Sequence, residues 1–349
     1  MKKKVCSLLL TAALAVCMTA CGSTSESASD STASADSAQT EDSATTETAT
    51  SASADGTTYH IGICQLVQHE ALDAATQGFQ DALTEKLGDA VTFDVQNASG
   101  DSATCATITN AFVSEGVDLI LANATASLQA ASASTDSIPI LGTSITDYAT
   151  ALDIDDWTGV VGNNISGTSD LAPLDQQAAC IQELFPDAKT VGLLYCSAEP
   201  NSAYQIGLVG QYLTDAGITV KEYSFSDSND LSGVVTTAVG EVDVIYTPTD
   251  NTVANNTELI QNIALPAGVP IFAGEEGICS GCGVATLSIS YYDLGYTTGE
   301  MAYEILVKGA DVSTMEVRTA PTFTKKYNAA NAETLGITIP DDYEAIATE

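Results

Sequence analysis

Residues 59–97 read YHIGICQLVQHEALDAATQGFQDALTEKLGDAVTFDVQN, and this stretch decides the fold. Tyr59–Cys64 is a short apolar run typical of a buried strand, and Val91–Gln96 has the same character. Between them, Ala71–Lys86 carries apolar residues at helical spacing, so the stretch predicts a strand, a helix and a strand. Such a unit pairs two parallel strands, with the helix crossing one face of their sheet.

The same alternation continues along the chain in two sets. The first set goes on with a helix near Ser102–Glu115, a strand at Leu119–Ala122, a helix near Ser127–Thr135 and a strand at Pro139–Gly142. The second set has strands at Thr190–Tyr195, Thr219–Ser224, Val242–Tyr246 and Pro270–Ala273, with helices near Ala203–Ala216, Leu231–Val239 and Val253–Leu265. Short apolar strands alternating with amphipathic helices predict parallel sheets covered on both faces. Two sets predict an α/β protein with two similar lobes.

A ligand of such sheets binds at the carboxyl ends of the strands, which for two facing lobes is the cleft between them. Hydroxyl, amide and carboxylate side chains recur at these strand ends, with an occasional aromatic residue. We expect the ligand to meet Gln65, Leu66, Thr125 and Ser144 in the first lobe, Asn201, Ser202, Asp250, Asn251 and Glu275 in the second, and Ser290 and Tyr291 after the last of these strands. Several of these residue types are also ordinary helix N-caps, so their recurrence at one end of both sheets is what indicates a site.

The strand ends contain no lysine or arginine, which argues against a phosphate or sulfate ligand. A zwitterion fits better, with helix N-termini and hydroxyls for its carboxylate and Asp250 or Glu275 for its ammonium. Leu66, Tyr148, Tyr291 and Tyr292 offer apolar surface for an aromatic side chain. Aromatic residues in a cleft stack equally well on a sugar or a nucleoside, so these ligands stay open.

The formal net charge of −36 repels nucleic acid phosphates, so nucleic acid is excluded as a partner. Of the two histidines, His60 lies inside the first strand and only His69 comes near the cleft. No serine-hydrolase, zinc-protease or phosphate-loop motif occurs. Glu275 with Asp250 resembles a glycosidase pair, but adjacent cleft acids more often bind a cation or a sugar hydroxyl. We therefore expect a small-molecule-binding protein with no catalytic residue, cofactor or metal.

The chain starts with three lysines, an apolar run from Val5 to about Val16, and Met18-Thr19-Ala20-Cys21, which is the pattern of an export signal. A small residue followed by Cys21 resembles the lipobox of bacterial lipoproteins. Residues 1–20 would then be removed and Cys21 would carry two acyl chains, enough for a stable anchor. The alternative is a secreted protein with a chance cysteine. Residues 21–57 predict a disordered acidic Ser/Thr/Ala linker that spans roughly 30–35 Å.

Six cysteines follow the linker, and two of them form the lone C-x-x-C motif Cys279-Ser280-Gly281-Cys282. The motif lacks the second pair that a zinc site needs. We expect a local disulfide in a Gly-rich loop or free thiols, and we assign this pair no function.

Several segments together resemble one family, the ABC-transporter substrate-binding lipoproteins of the TrpX type. They are IGICQLVQHEALDAATQGFQDAL (61–83), NNISGTSDLAPLDQQ (163–177), VGLLYCSAEPNSAYQ (191–205), VIYTPTDNTVANN (244–256), IFAGEEG (271–277) and YYDLGYTTGEMAYEIL (291–306). The resemblance runs from about Tyr59 to Pro340, with the motifs in order and at family spacing.

This resemblance implies a type I periplasmic-binding-protein fold, in which two doubly wound, Rossmann-like lobes are joined by a three-strand hinge. The crossovers would lie near Gly167–Ser169, Ser290–Tyr292 and Val317–Thr319. Lobe 1 would comprise residues 58–167 and 292–317, and lobe 2 residues 168–291 and 318–341. The implied ligand is an amino acid, most of all an aromatic one such as tryptophan or tyrosine. The implied partners are an ABC permease and its ATPase, and we expect a monomer anchored at the extracytoplasmic face of the cell membrane. A ligand-sensing receptor of the same fold, for a sugar or a nucleoside, is the competing interpretation.

The resemblance also carries site residues, because Gln65, Asn201, Ser202, Asp250, Asn251 and Glu275 match family motif positions. Two departures fall at the cleft. Ser290 stands where the family commonly has an aspartate, and the proline usual after Asp147 is missing. Losing that aspartate shifts the recognition of an ammonium group onto Asp250 or Glu275, or indicates a ligand without one.

Overall fold

The computed structural model describes residues 56–320 and 322–347. The first set of elements is β1 (Tyr59–Gln65), α1 (Glu70–Leu87), β2 (Val91–Asn97), α2 (Ser102–Glu115), β3 (Leu119–Asn123), α3 (Thr125–Ser134), β4 (Ile140–Ile145), α4 (Tyr148–Leu152) and β5 (Ile165–Ser169). The second set is α5 (Leu174–Leu184), β6 (Thr190–Cys196), α6 (Pro200–Asp215), β7 (Thr219–Phe225), α7 (Ser228–Ala238), β8 (Val244–Thr247), α8 (Asn251–Ala254), α9 (Thr257–Ala267), β9 (Ile271–Ala273), α10 (Glu276–Cys282) and β10 (Ala285–Ser288). The last elements are α11 (Tyr291–Leu306), β11 (Arg318–Thr319), β12 (Thr324–Tyr327), α12 (Ala329–Leu335) and β13 (Glu344–Ala345).

The strands form two sheets, which confirms the predicted α/β architecture. The first sheet has the order β11-β5-β4-β3-β1-β2, and all its strand pairs are parallel. The second has the order β13-β12-β10-β9-β8-β6-β7, in which only the β10–β12 pair is antiparallel. Apolar side chains pack on both faces of each sheet, as the continuous apolar strands predict.

The chain passes between the two sheets three times among the described residues. It leaves the first sheet after β5, returns between β10 and α11, and leaves again after β11, since Thr319 still pairs with Ser169 of β5. Three passages agree with the three-strand hinge of the predicted fold. The residue numbers given above for the two lobes stay a prediction.

The return passage delivers α11 against α1 of the first lobe, and glycines bring the two helices close together. A Cβ atom at Gly295 would overlap the carbonyl group of Ala75, and one at Gly78 would overlap the carbonyl of Tyr292. Because backbone meets backbone there, neither helix can move away cheaply to admit a side chain. This packing holds α11, which follows the second set of elements, firmly against the first lobe.

Two local predictions were wrong. The helix expected over Val253–Leu265 is two helices, α8 and α9, which are divided at Asn255 and Asn256 because asparagine competes with helical hydrogen bonds. The C-x-x-C motif lies in helix α10, directly after β9, and not in a loop. All six cysteines of the described residues are free and buried, so Cys279 and Cys282 are thiols.

No helix of the described residues combines the length and the apolar character that crossing a bilayer requires.

Candidate ligand-binding site

A cavity with an empty volume of about 300 Å³, which includes space open to solvent, lies where the carboxyl ends of the two sheets face each other. Its lining combines residues of both lobes and of the crossing segments, and carries hydroxyl, amide, carboxyl and apolar groups. The lining residues are His69, Ala71, Leu72, Ser144, Thr146, Asp170, Asn201, Thr249, Asp250, Asn251, Ala254, Glu275, Ile278 and Tyr291. Among these residues there is no lysine or arginine.

Two hydrogen bonds join the lobes across this cavity. His69 Nε2 lies 3.2 Å from Asn251 Oδ1, and the hydroxyls of Thr146 and Thr249 are 3.3 Å apart. His69 occupies the N-cap position of α1 on the first lobe, whereas Asn251 begins α8 on the second. The cleft is therefore closed, and its cavity is walled off by contacts that an opening of the lobes would break.

Three buried polar atoms of the lining have no hydrogen-bond partner. They are His69 Nδ1, Ser144 Oγ and Asp170 Oδ1, which are half of the six such atoms found among the described residues. An unpaired buried polar group costs about 1–3 kcal/mol, and each one in a native structure calls for an explanation. A polar ligand in the cavity would supply all three missing partners.

Ser144 owes its position to an irregularity in β4. The pairing of β4 with β5 shifts register between Gly142 and Ile145, and Ser144 has a left-handed backbone with φ 56°. Such a bulge redirects one side chain, and a strained conformation of a residue other than glycine is concentrated at functional sites. The bulge places the hydroxyl of Ser144 in the lining of the cavity.

Asp170 follows β5 and is only 4 % exposed. Its Oδ2 accepts a hydrogen bond of 2.8 Å from the hydroxyl of Tyr291, while Oδ1 is the atom without a partner. Burial raises the pKa of Asp170, and the hydroxyls of Tyr291 and Thr146 act in the opposite direction. A cationic group beside Oδ1 would stabilise the carboxylate and would lower this pKa.

Asp250 and Glu275 also line the cavity, but their oxygens hold the protein together. Asp250 accepts from the backbone N–H groups of Cys196 and Val253 and from the hydroxyl of Ser202. Glu275 caps α10 by accepting from the N–H groups of Gly277 and Ile278. Each carboxylate therefore stabilises a helix start or a strand end in the second lobe.

The pKa values of these two carboxyl groups are raised in spite of their hydrogen bonds. Burial, followed by the nearby charge of Glu199, raises the pKa of Asp250 to about 8. Burial likewise raises the pKa of Glu275 to about 7, with Glu70 and Glu276 adding to the effect. With Asp170, three acidic groups thus line a cavity that holds no lysine or arginine, so a ligand with a positive charge meets no permanently charged cation there.

Comparison with known proteins places this architecture in a family. Residues 60–349 match the family described as ABC transporter substrate binding protein. The chain belongs to this family of ABC transporter substrate-binding proteins. A "tyrosine-binding protein" of Clostridioides difficile strain R20291 is 38% identical over 269 residues, which are 74% of this chain and 76% of the relative.

Solved structures of substrate-binding proteins agree. A Streptococcus pneumoniae domain in complex with L-Trp is 33% identical, with TM-score 0.79 over 83% of this chain and 100% of that one. A Clostridium difficile substrate-binding protein with adhesive properties, in its ligand-free, open form, is 37% identical over the same shares, with TM-score 0.64. The leucine-binding protein of Thermotoga maritima shares the fold, with 17% sequence identity and TM-score 0.57. The match covers 73% of this chain and 84% of that one.

The two TM-scores also bear on the state of the cleft. Coverage is equal and sequence identity is higher for the open structure, yet the TM-score is lower. A rotation of one lobe against the other lowers such a score over a whole chain. The difference agrees with the interlobe hydrogen bonds, because both indicate the closed arrangement of a substrate-binding protein.

The structure brings six of the eleven predicted site residues to the cavity of this substrate-binding protein. They are Ser144, Asn201, Asp250, Asn251, Glu275 and Tyr291. The other five, Gln65, Leu66, Thr125, Ser202 and Ser290, lie outside its lining. Their role as ligand contacts stays a prediction, and the structure shows what holds most of them.

Local hydrogen bonds explain why most of these five are elsewhere. The side chain of Gln65 donates to the carbonyl of Val67 and to Asp73, and its oxygen accepts from Thr76. Ser202 donates to Asp250, and so lies behind the cavity wall. Ser290 caps α11 by accepting from the N–H of Asp293. Leu66 lines a neighbouring, wider groove at the mouth of the cleft.

Of the four residues expected to offer apolar surface to the ligand, only Tyr291 lines this cavity. Tyr148 is buried in the core of the first lobe, with its ring stacked on Trp157 at 6.2 Å, and Tyr292 is exposed with its hydroxyl bonded to Asp81. The apolar part of the lining is instead Ala71, Leu72, Ala254 and Ile278.

Asp170 and His69 are the main residues of the lining that the predicted set lacks. Asp170 stands inside the family-like segment 163–177, directly after the last strand of the first set, and strand-end logic would have found it had β5 been predicted. His69 was noted as the histidine nearest the cleft, and its position as the N-cap of α1 places it there.

Proposed function

We propose that this chain is the lipid-anchored, extracytoplasmic receptor of an ABC importer, and that it closes around an aromatic amino acid. The observation that carries the proposal is the interlobe cavity with its three unpaired polar atoms and no lysine or arginine in its lining. A carboxylate oxygen, an imidazole nitrogen and a hydroxyl together suit a small zwitterion with a further polar group. The named ligands of the similar proteins, tyrosine and L-Trp, have this chemistry.

Asp170 is the residue that we assign to the ammonium group of the ligand. Its Oδ1 is buried and free, whereas the oxygens of Asp250 and Glu275 already accept backbone hydrogen bonds. This assignment replaces the expectation that Asp250 or Glu275 binds the ammonium. Hydrogen bonds between ions are about twice as strong as neutral ones, so Asp170 would provide the main polar attraction.

Hydroxyl groups would hold the carboxylate of the ligand. Ser144 Oγ has no partner, and the hydroxyls of Thr146 and Thr249 stand beside it in the lining. Gln205 donates to the oxygen of Thr249, so the proton of that hydroxyl can be directed to Thr146 or to a ligand. Such neutral donors bind a carboxylate more weakly than arginine does, which suits a receptor that must release its ligand.

The size and the walls of the cavity support an amino acid with an apolar side chain. The cavity is small, which favours a single small molecule as its occupant. Leu72, Ile278 and the ring of Tyr291 supply apolar surface. Closure of the two lobes around a ligand is the movement that two-lobed binding proteins make.

The anchor and the partners complete the proposal. Cys21 and the linker over residues 21–57 lie outside the described residues, apart from the end of the linker. Lipid on Cys21 would confine a monomeric receptor near its permease, and the linker would give it roughly 30 Å of reach. The ATPase on the cytoplasmic side would drive import, and the receptor itself would catalyse no reaction.

Thermal unfolding of the purified protein with candidate ligands tests the proposal. A ligand at 100 times its Kd adds about 2.7 kcal/mol of stability, which is a rise in Tm of roughly 5 °C for a domain of this size. We expect this rise with tyrosine, tryptophan or both, and none with leucine, glucose or adenosine. A rise with a sugar or a nucleoside, and none with any amino acid, would overturn the proposed ligand class.

A further inference from the structure

A chain of hydrogen bonds starts at Glu199 and fixes the orientation of one amide. The carboxylate of Glu199 lies 2.7 Å from Asn251 Nδ2 and also accepts from the backbone N–H of Asn251 at 3.0 Å. A carboxylate only accepts hydrogen bonds, so the NH₂ end of the Asn251 side chain must face Glu199. The carbonyl end, Oδ1, must then face the first lobe.

The orientation of Asn251 in turn fixes the tautomer of His69. Asn251 Oδ1 is an acceptor and stands 3.2 Å from His69 Nε2, so Nε2 carries the proton. Burial lowers the pKa of His69, while the hydrogen bond to Asn251 and the charges of Glu199 and Asp73 oppose this. The imidazole is therefore neutral near pH 7, and Nδ1 carries a lone pair.

Nδ1 of His69 is thus an acceptor that needs a donor. It is buried and has no partner, and His69 lines the ligand cavity. No donor among the described residues reaches it, so we assign the donor to the ligand. The ammonium group of an amino acid has three N–H donors, for which Asp170 Oδ1 is the free acceptor, and tyrosine and tryptophan carry one further donor on their side chains.

We infer that His69 is a specificity-determining residue whose Nδ1 accepts a hydrogen bond from the side chain of the ligand. This inference rests on the proposed function. The site would prefer aromatic side chains with a donor, the phenol O–H of tyrosine or the indole N–H of tryptophan, over phenylalanine. Phenylalanine leaves the acceptor unpaired in a buried place, and sites built to pair a ligand group reject the analogue that lacks it.

Calorimetry of the full-length protein in detergent, with tyrosine, tryptophan and phenylalanine, tests the inference. An unpaired buried acceptor should weaken phenylalanine about tenfold to hundredfold relative to the better of the other two. The key variant is His69→Gln, because glutamine can keep an N–H toward Asn251 but has no acceptor in the place of Nδ1. Its preference should fall to within about threefold. His60→Gln is the matched control, since His60 lies on β1 away from the cavity, and it should keep the wild-type preference.

Each other outcome is decisive. Equal binding of all three ligands by the wild type would overturn the inference and leave the proposed function standing. An equal loss for all three in His69→Gln would also overturn it, because His69 would then contact the common backbone of the ligand or hold the lobes. If no aromatic amino acid binds the wild type, the proposed function and the inference fail together.

Nitrogen NMR gives a second measurement that needs no variant at position 69. The chain has two histidines, so His60→Gln leaves His69 as the only imidazole signal. We expect the spectrum of a neutral ring protonated at Nε2, with an Nδ1 resonance that shifts when the preferred donor ligand binds and stays in place with phenylalanine. A ring protonated at Nδ1, or equal shifts with all ligands, would contradict the inference.

Discussion

Replacing Asp170 by asparagine removes one charge from the cavity and keeps the shape of the side chain. The amide oxygen of asparagine can still accept the hydrogen bond from Tyr291, which is 2.8 Å long in the wild type. The carboxylate is 4 % exposed and burial raises its pKa, so the empty protein gains nothing from the charge. We expect the free energy of unfolding of the ligand-free Asp170→Asn protein to be unchanged or slightly higher.

The effect on binding should be large. Truncating one partner of a buried, hydrogen-bonded charge pair costs about 2–5 kcal/mol, which corresponds to a loss of affinity of at least about 30-fold. The assay is calorimetric titration with the aromatic amino acid that binds best. A second ligand, the same molecule without its amino group, isolates the ammonium contact. The wild type should bind this deaminated ligand far more weakly, and Asp170→Asn should bind the two ligands with similar affinity.

Asp147→Asn is the matched control for charge. Asp147 lies near the same end of the first sheet, caps α4 by accepting from the N–H of Thr150, and stays outside the lining of the cavity. Asparagine is an equally good cap, so this variant should bind like the wild type. The reasoning would be refuted if Asp170→Asn kept an affinity within threefold of the wild type, or if both variants lost affinity equally.

Three further predictions concern the anchor, the packing and the response to pH. Cys21→Ser should move the protein from the membrane fraction to the soluble fraction with its ligand affinity intact; material that stays with the membrane would contradict the lipid anchor. Gly295→Ala drives a Cβ into the carbonyl of Ala75 and should lower the free energy of unfolding in urea by about 1–3 kcal/mol. Gly207→Ala is the control, because a Cβ at Gly207 meets open space; its free energy of unfolding should be unchanged or higher by about 0.5–1 kcal/mol. Glu275 has a pKa of about 7 in the folded protein against 4.5 as its ordinary value, so the folded state holds a proton that the unfolded state has lost between these pH values. The ligand-free protein should therefore lose about 3 kcal/mol of stability from this group as the pH rises from 4.5 to 7. Over this pH range the free energy of unfolding of Glu275→Gln should fall by about 3 kcal/mol less than that of the wild type. An equal fall in both proteins would refute the raised pKa of Glu275.

The alternation of strands and helices over residues 59–273 could largely be predicted from the sequence, although β5, which Asp170 follows, was not predicted. Strand Tyr59–Gln65 and helix Glu70–Leu87 lie within two residues of their predicted bounds. Apolar periodicity is a local property, and buried parallel strands need continuous apolar runs wherever they occur. The prediction failed where local preference was ambiguous, at the two asparagines between α8 and α9 and at the helix that carries Cys279.

The same reasoning from the sequence predicts only part of the site. Asp170, Asp250 and Glu275 are alike in sequence, since each is an acid that follows a strand. The sequence by itself determined that such residues gather at the carboxyl ends of the strands. Tertiary structure decided which carboxylate is left free, because backbone N–H groups of α8 and α10 occupy Asp250 and Glu275 but do not reach Oδ1 of Asp170.

The same division between what the sequence determines and what the tertiary structure determines holds for His69 and Ser144. The sequence placed both at strand ends or helix starts of the first lobe. The donor state of His69 depends on Glu199 and Asn251 of the other lobe, and the direction of Ser144 depends on a bulge against β5. Sequence patterns report burial and spacing along one segment, whereas the hydrogen-bond state of a side chain is set by atoms that only the closed fold brings within about 3 Å of it.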